Sequence, residues 1–327
     1  MSNSNLPQKQ NTNVSAITNA GNIMNARNLA LTDSQYAARI TRLTPTAIII
    51  LIDQSGSMIE EIIDEMGVSV SKSELVSKVI NEFLYELINV CQKDYGVRDY
   101  FDVSIIGYGT DDEQANYAWE GKLEGKEFVT ISELKEGILN TLESIVSETN
   151  RFGKIVDKKI TRRVWITPQA NGLTPMKNAF ELAKTNLEKW VLKNENSFPP
   201  LLINITDGEA SDVDDFEELI DLCDEIKKIN TSDGGVLIYN YHMSNNNNNE
   251  IIFPKCSDDI GEDEYTIALS KMSSFIPKTI SNIAAKEFNR PDIIKEDTIG
   301  LIVNSTSINS LIKLFKIGTT GQINNLQ

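Results

Sequence analysis

Residues Ala47-Ile48-Ile49-Ile50-Leu51-Ile52 form an apolar run that stops abruptly at Asp53-Gln54-Ser55-Gly56-Ser57. An unbroken run of this length predicts a strand buried within a sheet. The residues just beyond it stand at the sheet's carboxyl edge, where open α/β sheets bind their ligands. There Asp53, Ser55 and Ser57 place a carboxylate and two hydroxyls at alternate positions, so three oxygens share one turn. Oxygen is the ligand that hard cations take. Two later segments carry matching chemistry: Gly172-Leu173-Thr174-Pro175-Met176, and Ile203-Asn204-Ile205-Thr206-Asp207-Gly208.

The rest of the chain alternates strands with helices. Ser71-Lys72-Ser73-Glu74 has the form of a capping box. Leu75, Val76, Val79, Ile80, Phe83, Leu84, Leu87, Ile88 and Cys91 follow it at helical spacing. Residues 59–70 read as an acidic loop between motif and helix. Upstream, Pro45 is expected to separate an edge strand from the central one within 38–53. Phe101–Gly109 predicts a second buried strand, and 115–122 and 127–131 predict shorter edge pieces. A helix is expected over 132–147 and an extended segment over 163–166. Thr174 is placed to cap a helix reaching about Leu192, with Pro175 at its first position.

Pro199-Pro200 introduce a strand at 201–206. A helix from about Asp214 to Ile229, an Asp-Gly-Gly turn and a strand over 236–241 follow. Helices near 265–274 and 279–288, a strand at 300–303 and a helix ending near Gly318 close the pattern. The alternation predicts an α/β fold: a mostly parallel, doubly wound, Rossmann-like sheet with helices on both faces. Residues 1–34 are polar and too poor in large apolar groups to order alone. The domain is expected to span 35–320, with a surface insertion around 244–264 and a short tail at 321–327.

Bulk properties narrow the function. The 327 residues carry a formal charge of −16, and no basic stripe breaks that balance, so nucleic acid is an unsuitable ligand. Cys91, Cys223 and Cys256 lie far apart without metal-ligand spacing, and no disulfide framework is implied. The N-terminus lacks a charged segment followed by an apolar core, and no apolar run approaches the ~20 residues of a membrane span. A cytoplasmic location is the expectation. No Gly-x-Ser-x-Gly elbow or phosphate-binding glycine loop is present. The only histidine, His242, stands at a strand end.

In these three loops the chain resembles the von Willebrand factor A (VWA) family, whose metal-ion-dependent adhesion site (MIDAS) is built from such segments. The resemblance covers most of residues 40–317. Arg98–Val103, Phe198-Pro199-Pro200 and Asn204–Glu209 are closest to intracellular bacterial members, including those of tellurite-resistance-type systems. It implies a six-stranded sheet with one short antiparallel edge strand. It also implies that Ser55 and Ser57 ligate Mg²⁺ (or Mn²⁺) directly, Thr174 directly or through water, and Asp53 and Asp207 mainly through waters. Few direct carboxylates would leave the ion seeking an acidic residue from a partner protein. Members of this type are commonly encoded beside a kinase, a phosphatase or ATPases. The implied function is a non-catalytic protein-binding scaffold in a bacterial stress-response, signalling or defence complex. A Mg²⁺-dependent phosphohydrolase and a structural subunit whose metal steadies the loops are the alternatives.

Asp111-Asp112-Glu113 reads as a solvated acidic loop or as a rim that selects a basic partner. Glu209, Asp212, Asp214 and Asp215 read as acids favoured near a helix N-terminus.

Overall fold

The apolar runs become the middle of a single eight-stranded sheet. Its strands are β1 (Thr46–Asp53), β2 (Phe101–Tyr108), β3 (Ala115–Tyr117), β4 (Val129–Thr130), β5 (Leu201–Thr206), β6 (Leu237–Met243), β7 (Ile251–Ile252) and β8 (Leu301–Ser305). In space they run β7-β8-β6-β5-β1-β2-β3, and β4 also pairs with β2. The inner strands β8, β6, β5, β1 and β2 are parallel, while β7, β3 and β4 are antiparallel. The structure, a computed structural model, describes residues 35–63, 67–110, 114–149, 155–244, 249–255, 257–294 and 297–323. From Tyr36 onward they belong to one compact unit.

Helices α1 (Lys72–Cys91), α2 (Ile131–Glu136), α3 (Met176–Lys193), α4 (Phe216–Lys228), α5 (Glu264–Met272), α6 (Lys278–Phe288) and α7 (Ile308–Ile323) cover both faces. Alternation along β1 decides which face each side chain joins. Ile48, Ile50 and Ile52 pack in one core with α1, α2, α6 and α7. Ile49 and Leu51 pack in the other with α3, α4 and α5. Every residue of β1 and β5 is buried, as expected of parallel strands covered on both sides. This is the doubly wound, Rossmann-like arrangement that the alternation predicts.

A row of side-chain hydrogen bonds crosses the second core. The Tyr108 hydroxyl donates to Asn204 Oδ1 (2.9 Å), Asn204 Nδ2 to Asn240 Oδ1 (3.0 Å), and Asn240 Nδ2 to Ser273 Oγ (2.9 Å). All four residues are buried. Buried amides require such partners.

Several expectations are corrected. Among the described residues no strand precedes Pro45; the chain there bends, held by bonds between Thr41 and Thr44. The sheet has eight strands rather than six, because the short pieces at both edges pair as well. One of them, β7, lies inside the expected insertion at 244–264. The helix expected over 132–147 lasts only for α2. Thr130 and Glu133 form its capping box and Gly137 ends it.

Beyond Gly137, residues 140–149 pair antiparallel with 155–164 in a separate two-stranded sheet. Thr141, Ile145, Val146, Thr149, Ile155, Val156, Ile160, Thr161 and Val164 are β-branched, which favours a pleated strand over a helix. Within the loop expected at 59–70, residues 61–63 pair with 69–71 in a small hairpin. The last helix continues past Gly318 to Ile323. Residues 1–34, Asp111–Glu113 and Cys256 lie outside the described residues. Cys91 and Cys223 are free, buried thiols on α1 and α4. Among the described residues no helix is long and apolar enough to cross a membrane.

Candidate metal centre

β1 and β5 are paired in register, Ile52 opposite Ile205, so the residues after them emerge side by side at the carboxyl edge. The side chains meet there directly. The Ser55 and Ser57 hydroxyls are 2.9 Å apart, and Ser57 Oγ donates to Asp207 Oδ1 at 2.7 Å. Asp53 Oδ1 accepts the Ser55 N–H (2.9 Å) and Asp53 Oδ2 accepts the Thr206 hydroxyl (3.0 Å). Asp53, Ser55, Ser57 and Asp207, chosen from the sequence, thus form one hydrogen-bonded group.

Thr174 is tied to this group through its backbone. The loop before it meets the motif where the Gly172 carbonyl accepts the Gly56 N–H (3.0 Å). The loop after β5 meets it from the other side: the Thr174 N–H donates to Ser211 Oγ, and the Thr174 carbonyl accepts the Ser211 N–H, each at 2.9 Å. Thr174 is nearly buried, and its hydroxyl makes no hydrogen bond among the described residues.

Thr174 does not cap α3 as expected. Pro175 occupies the cap position without a side-chain bond. Asp212 caps the helix from another loop, its carboxylate accepting the N–H groups of Lys177 (3.1 Å) and Asn178 (2.9 Å). Of the acids after Asp207, Asp215 caps α4 and Asp212 caps α3, so both satisfy helix N-termini.

A further loop, after β2, approaches the loops of Ser55 and Gly172 backbone to backbone. Gly109 has φ of 101°, and a Cβ there would lie 2.4 Å from the Leu173 carbonyl oxygen and 2.8 Å from the Ser55 nitrogen. Gly172 has φ of 77°, and a Cβ there would lie 2.8 Å from the Gly109 carbonyl oxygen. Only glycine fits either position. Neither was singled out from the sequence for this reason.

Electrostatically the site is built from opposed charges. Burial pushes the Asp53 carboxyl up to about 6, against the hydrogen bonds from Ser55 and Thr206 and with the Asp207 charge adding to the rise. Such a carboxylate lacks a compensating cation on its own side. Asp207 has one: Lys72, the first residue of α1, donates to Asp207 Oδ2 at 2.8 Å and to Glu60 Oε2 at 2.7 Å. Burial works against the ammonium, but these bonds and charges outweigh it and hold its pKa above the ordinary lysine value.

Sequence reasoning missed Lys72, treating it only as part of the capping box. Its position was a signal, because a cation at a helix N-terminus opposes the helix dipole and needs a reason to be there. His242 pairs with Thr206 across β6 and β5, edge-to-face with Tyr265, and burial lowers its pKa.

The donor set is entirely oxygen, from neutral hydroxyls and buried carboxylates, which fits a small hard cation such as Mg²⁺. Among the described residues no three His, Cys, Asp or Glu side chains cluster to hold a metal, so a site here depends on the hydroxyls of Ser55, Ser57 and Thr174.

No family model and no curated protein matches this chain. Among solved structures it is similar to the ArnB paralog VWA2 from Sulfolobus acidocaldarius, at 14% identity and a TM-score of 0.34, over 71% of this chain and 40% of that one. It is also similar to the pilus adhesin RrgA from Streptococcus pneumoniae, at 14% identity and a TM-score of 0.27, over 53% of this chain and 22% of that one. An uncharacterized membrane spanning protein from Vibrio fischeri is similar at 13% identity and a TM-score of 0.23, over 85% and 97%. The chain thus spans well under two thirds of the first two proteins.

Proposed function

We propose that this chain is a non-catalytic, metal-dependent protein-binding module, which recognises an acidic residue of a partner through a divalent cation held by the three loops. The observation that carries this reading is the hydrogen-bonded group of Asp53, Ser55, Ser57 and Asp207 at the sheet's carboxyl edge, with Thr174 docked between the loops. Ser55, Ser57 and Thr174 would hold Mg²⁺ or Mn²⁺ through their hydroxyls, with Asp53 and Asp207 orienting them and bonding its waters. When bound, the ion supplies an electrophilic centre for a carboxylate oxygen.

The surroundings also suit a partner. Leu173, in the metal loop itself, is 52% exposed, and Ile59, two residues beyond Ser57, is 68% exposed. Apolar side chains beside a polar anchor are the composition of an interface centre. The setting proposed is a scaffold in a cytoplasmic bacterial stress-response, signalling or defence complex, with a kinase, phosphatase or ATPase encoded nearby as the partner.

The test is capture of partners from native extract by the full chain, with Mg²⁺ or with EDTA, repeated for Ser57→Ala and Thr174→Ala. The same partner should be retained with Mg²⁺ and lost with EDTA, and both variants should lose metal and partner together while remaining folded. Wild-type retention in EDTA would refute the reading. Metal that changes melting but not retention would favour the structural role. Phosphate release from generic phosphoesters would favour the phosphohydrolase.

A further inference from the structure

We propose that Lys72 is a built-in counter-cation of this centre, which keeps Asp207 from chelating the ion and so biases the loops toward Mg²⁺ over Ca²⁺. The inference rests on the reading of the loops as a metal site. Three observations lead to it. The first is where the lysine sits. At the first position of α1 its ammonium opposes the helix dipole, and the residue is only 3% exposed. A buried, unpaired ammonium would be strongly destabilising there, so the two carboxylates are what make the position tenable.

The second is how Asp207 is occupied. Its side chain is fully buried, with Oδ1 accepting from Ser57 and Oδ2 accepting from Lys72. Each oxygen therefore has a partner on a different element. Bidentate chelation by this carboxylate would require the ammonium to leave Oδ2.

The third is the sum of charge. The Asp207 N–H lies 3.5 Å from Asp53 Oδ2, and Lys72 bonds both Asp207 and Glu60, so its charge offsets one unit of the negative charge beside the loops at short range. Ca²⁺ favours many oxygen ligands, including bidentate carboxylates. Mg²⁺ keeps several waters and needs few direct carboxylates. A lysine that ties up one carboxylate face therefore penalises Ca²⁺ more than Mg²⁺. It also leaves any bound ion less neutralised, and so more receptive to an acid from outside.

Calorimetric titration of the EDTA-stripped full chain with Mg²⁺ and with Ca²⁺ tests this in wild type, Lys72→Met and Lys72→Arg. K72M removes the charge but keeps the length and the apolar stem. Its Ca²⁺ affinity should rise at least about tenfold relative to its Mg²⁺ affinity, because the freed Asp207 oxygen becomes a second ligand that Ca²⁺ accepts and Mg²⁺ does not need. K72R keeps the charge and should keep the wild-type ratio. An unchanged ratio in K72M, or the same shift in K72R, would overturn the role given to Lys72 while leaving the metal reading standing. A wild-type chain that binds neither ion would overturn the metal reading itself.

If K72M does not fold, Glu60→Gln serves instead, because the Glu60 side chain is 55% exposed and lies at the edge of the group. Losing it commits Lys72 to Asp207 alone, so preference for Ca²⁺ should fall about threefold. A rise, or no change, would count against the proposal.

Discussion

Asp53→Asn is the most informative single change, because metal-free and metal-loaded protein should respond in opposite directions. Burial raises the Asp53 carboxyl from 3.8 to about 6. A raised folded-state pKa means that the stabilising form is the protonated one. Its benefit is complete below about pH 4 and is lost as pH rises through 6, so at pH 7.5 the ionised Asp53 costs stability. A rise from 3.8 to about 6 corresponds to about 3 kcal/mol.

Asparagine is nearly isosteric and carries no charge. Its carbonyl can still accept the Ser55 N–H, and the Thr206 hydroxyl, freed from donating to Asp53, can donate to the Gly208 carbonyl at 2.9 Å. In EDTA at pH 7.5, D53N should therefore melt higher than wild type, by about 5 °C for a chain of this size. The gap between the two should close as the pH is lowered from 7 to 4. Saturating Mg²⁺ should stabilise wild type by about 2.7 kcal/mol at a hundredfold excess over Kd, and leave D53N unchanged. Scanning calorimetry at several pH values, with and without Mg²⁺, measures all of this. A D53N variant that melts at or below wild type in EDTA, or that gains as much from Mg²⁺, would refute the account of Asp53 as a buried carboxylate awaiting a cation.

Two other outcomes are expected. Gly109→Ala would press a methyl into the Leu173 carbonyl and the Ser55 amide at a positive φ. It should cost at least about 2 kcal/mol in denaturant melts and weaken Mg²⁺ binding with it; unchanged stability would mean that the loops are looser than their spacing implies. Leu173→Ser should leave Mg²⁺ titrations as they are and lower partner affinity about tenfold or more, the worth of one apolar side chain buried at an interface. Equal partner retention would place the interface elsewhere.

The centre of the fold was legible because its signals are local. The run 47–52 is apolar without interruption and 201–205 is broken only by Asn204, and each ends at an oxygen-bearing residue, which fixes both the strand and the edge where its loop emerges. The helix over 72–91 was legible for the same reason, with its capping box and stripe complete within the segment.

What escaped sequence reading depends on residues far apart in the chain. Lys72 finds Asp207 across 135 positions, and Asp212 takes the capping role at α3 from 35 positions away. The hairpin of 140–149 with 155–164 is a different case: Gly137 and the β-branched residues beyond it were local signals that a helix over 132–147 overlooks. Gly109 and Gly172 were unremarkable as letters, because the backbone each must admit belongs to another loop.

The row joining Tyr108, Asn204, Asn240 and Ser273 has a consequence for how this protein can move. Sliding β5 by one residue would turn Asn204 toward the opposite aliphatic layer and leave its neighbours' polar groups without partners. The strands are thus pinned like teeth in a comb, and Asp53 and Asp207 keep a common height whatever happens above them. Any response to a partner must then arise in the connecting segments, with the sheet serving as the fixed floor.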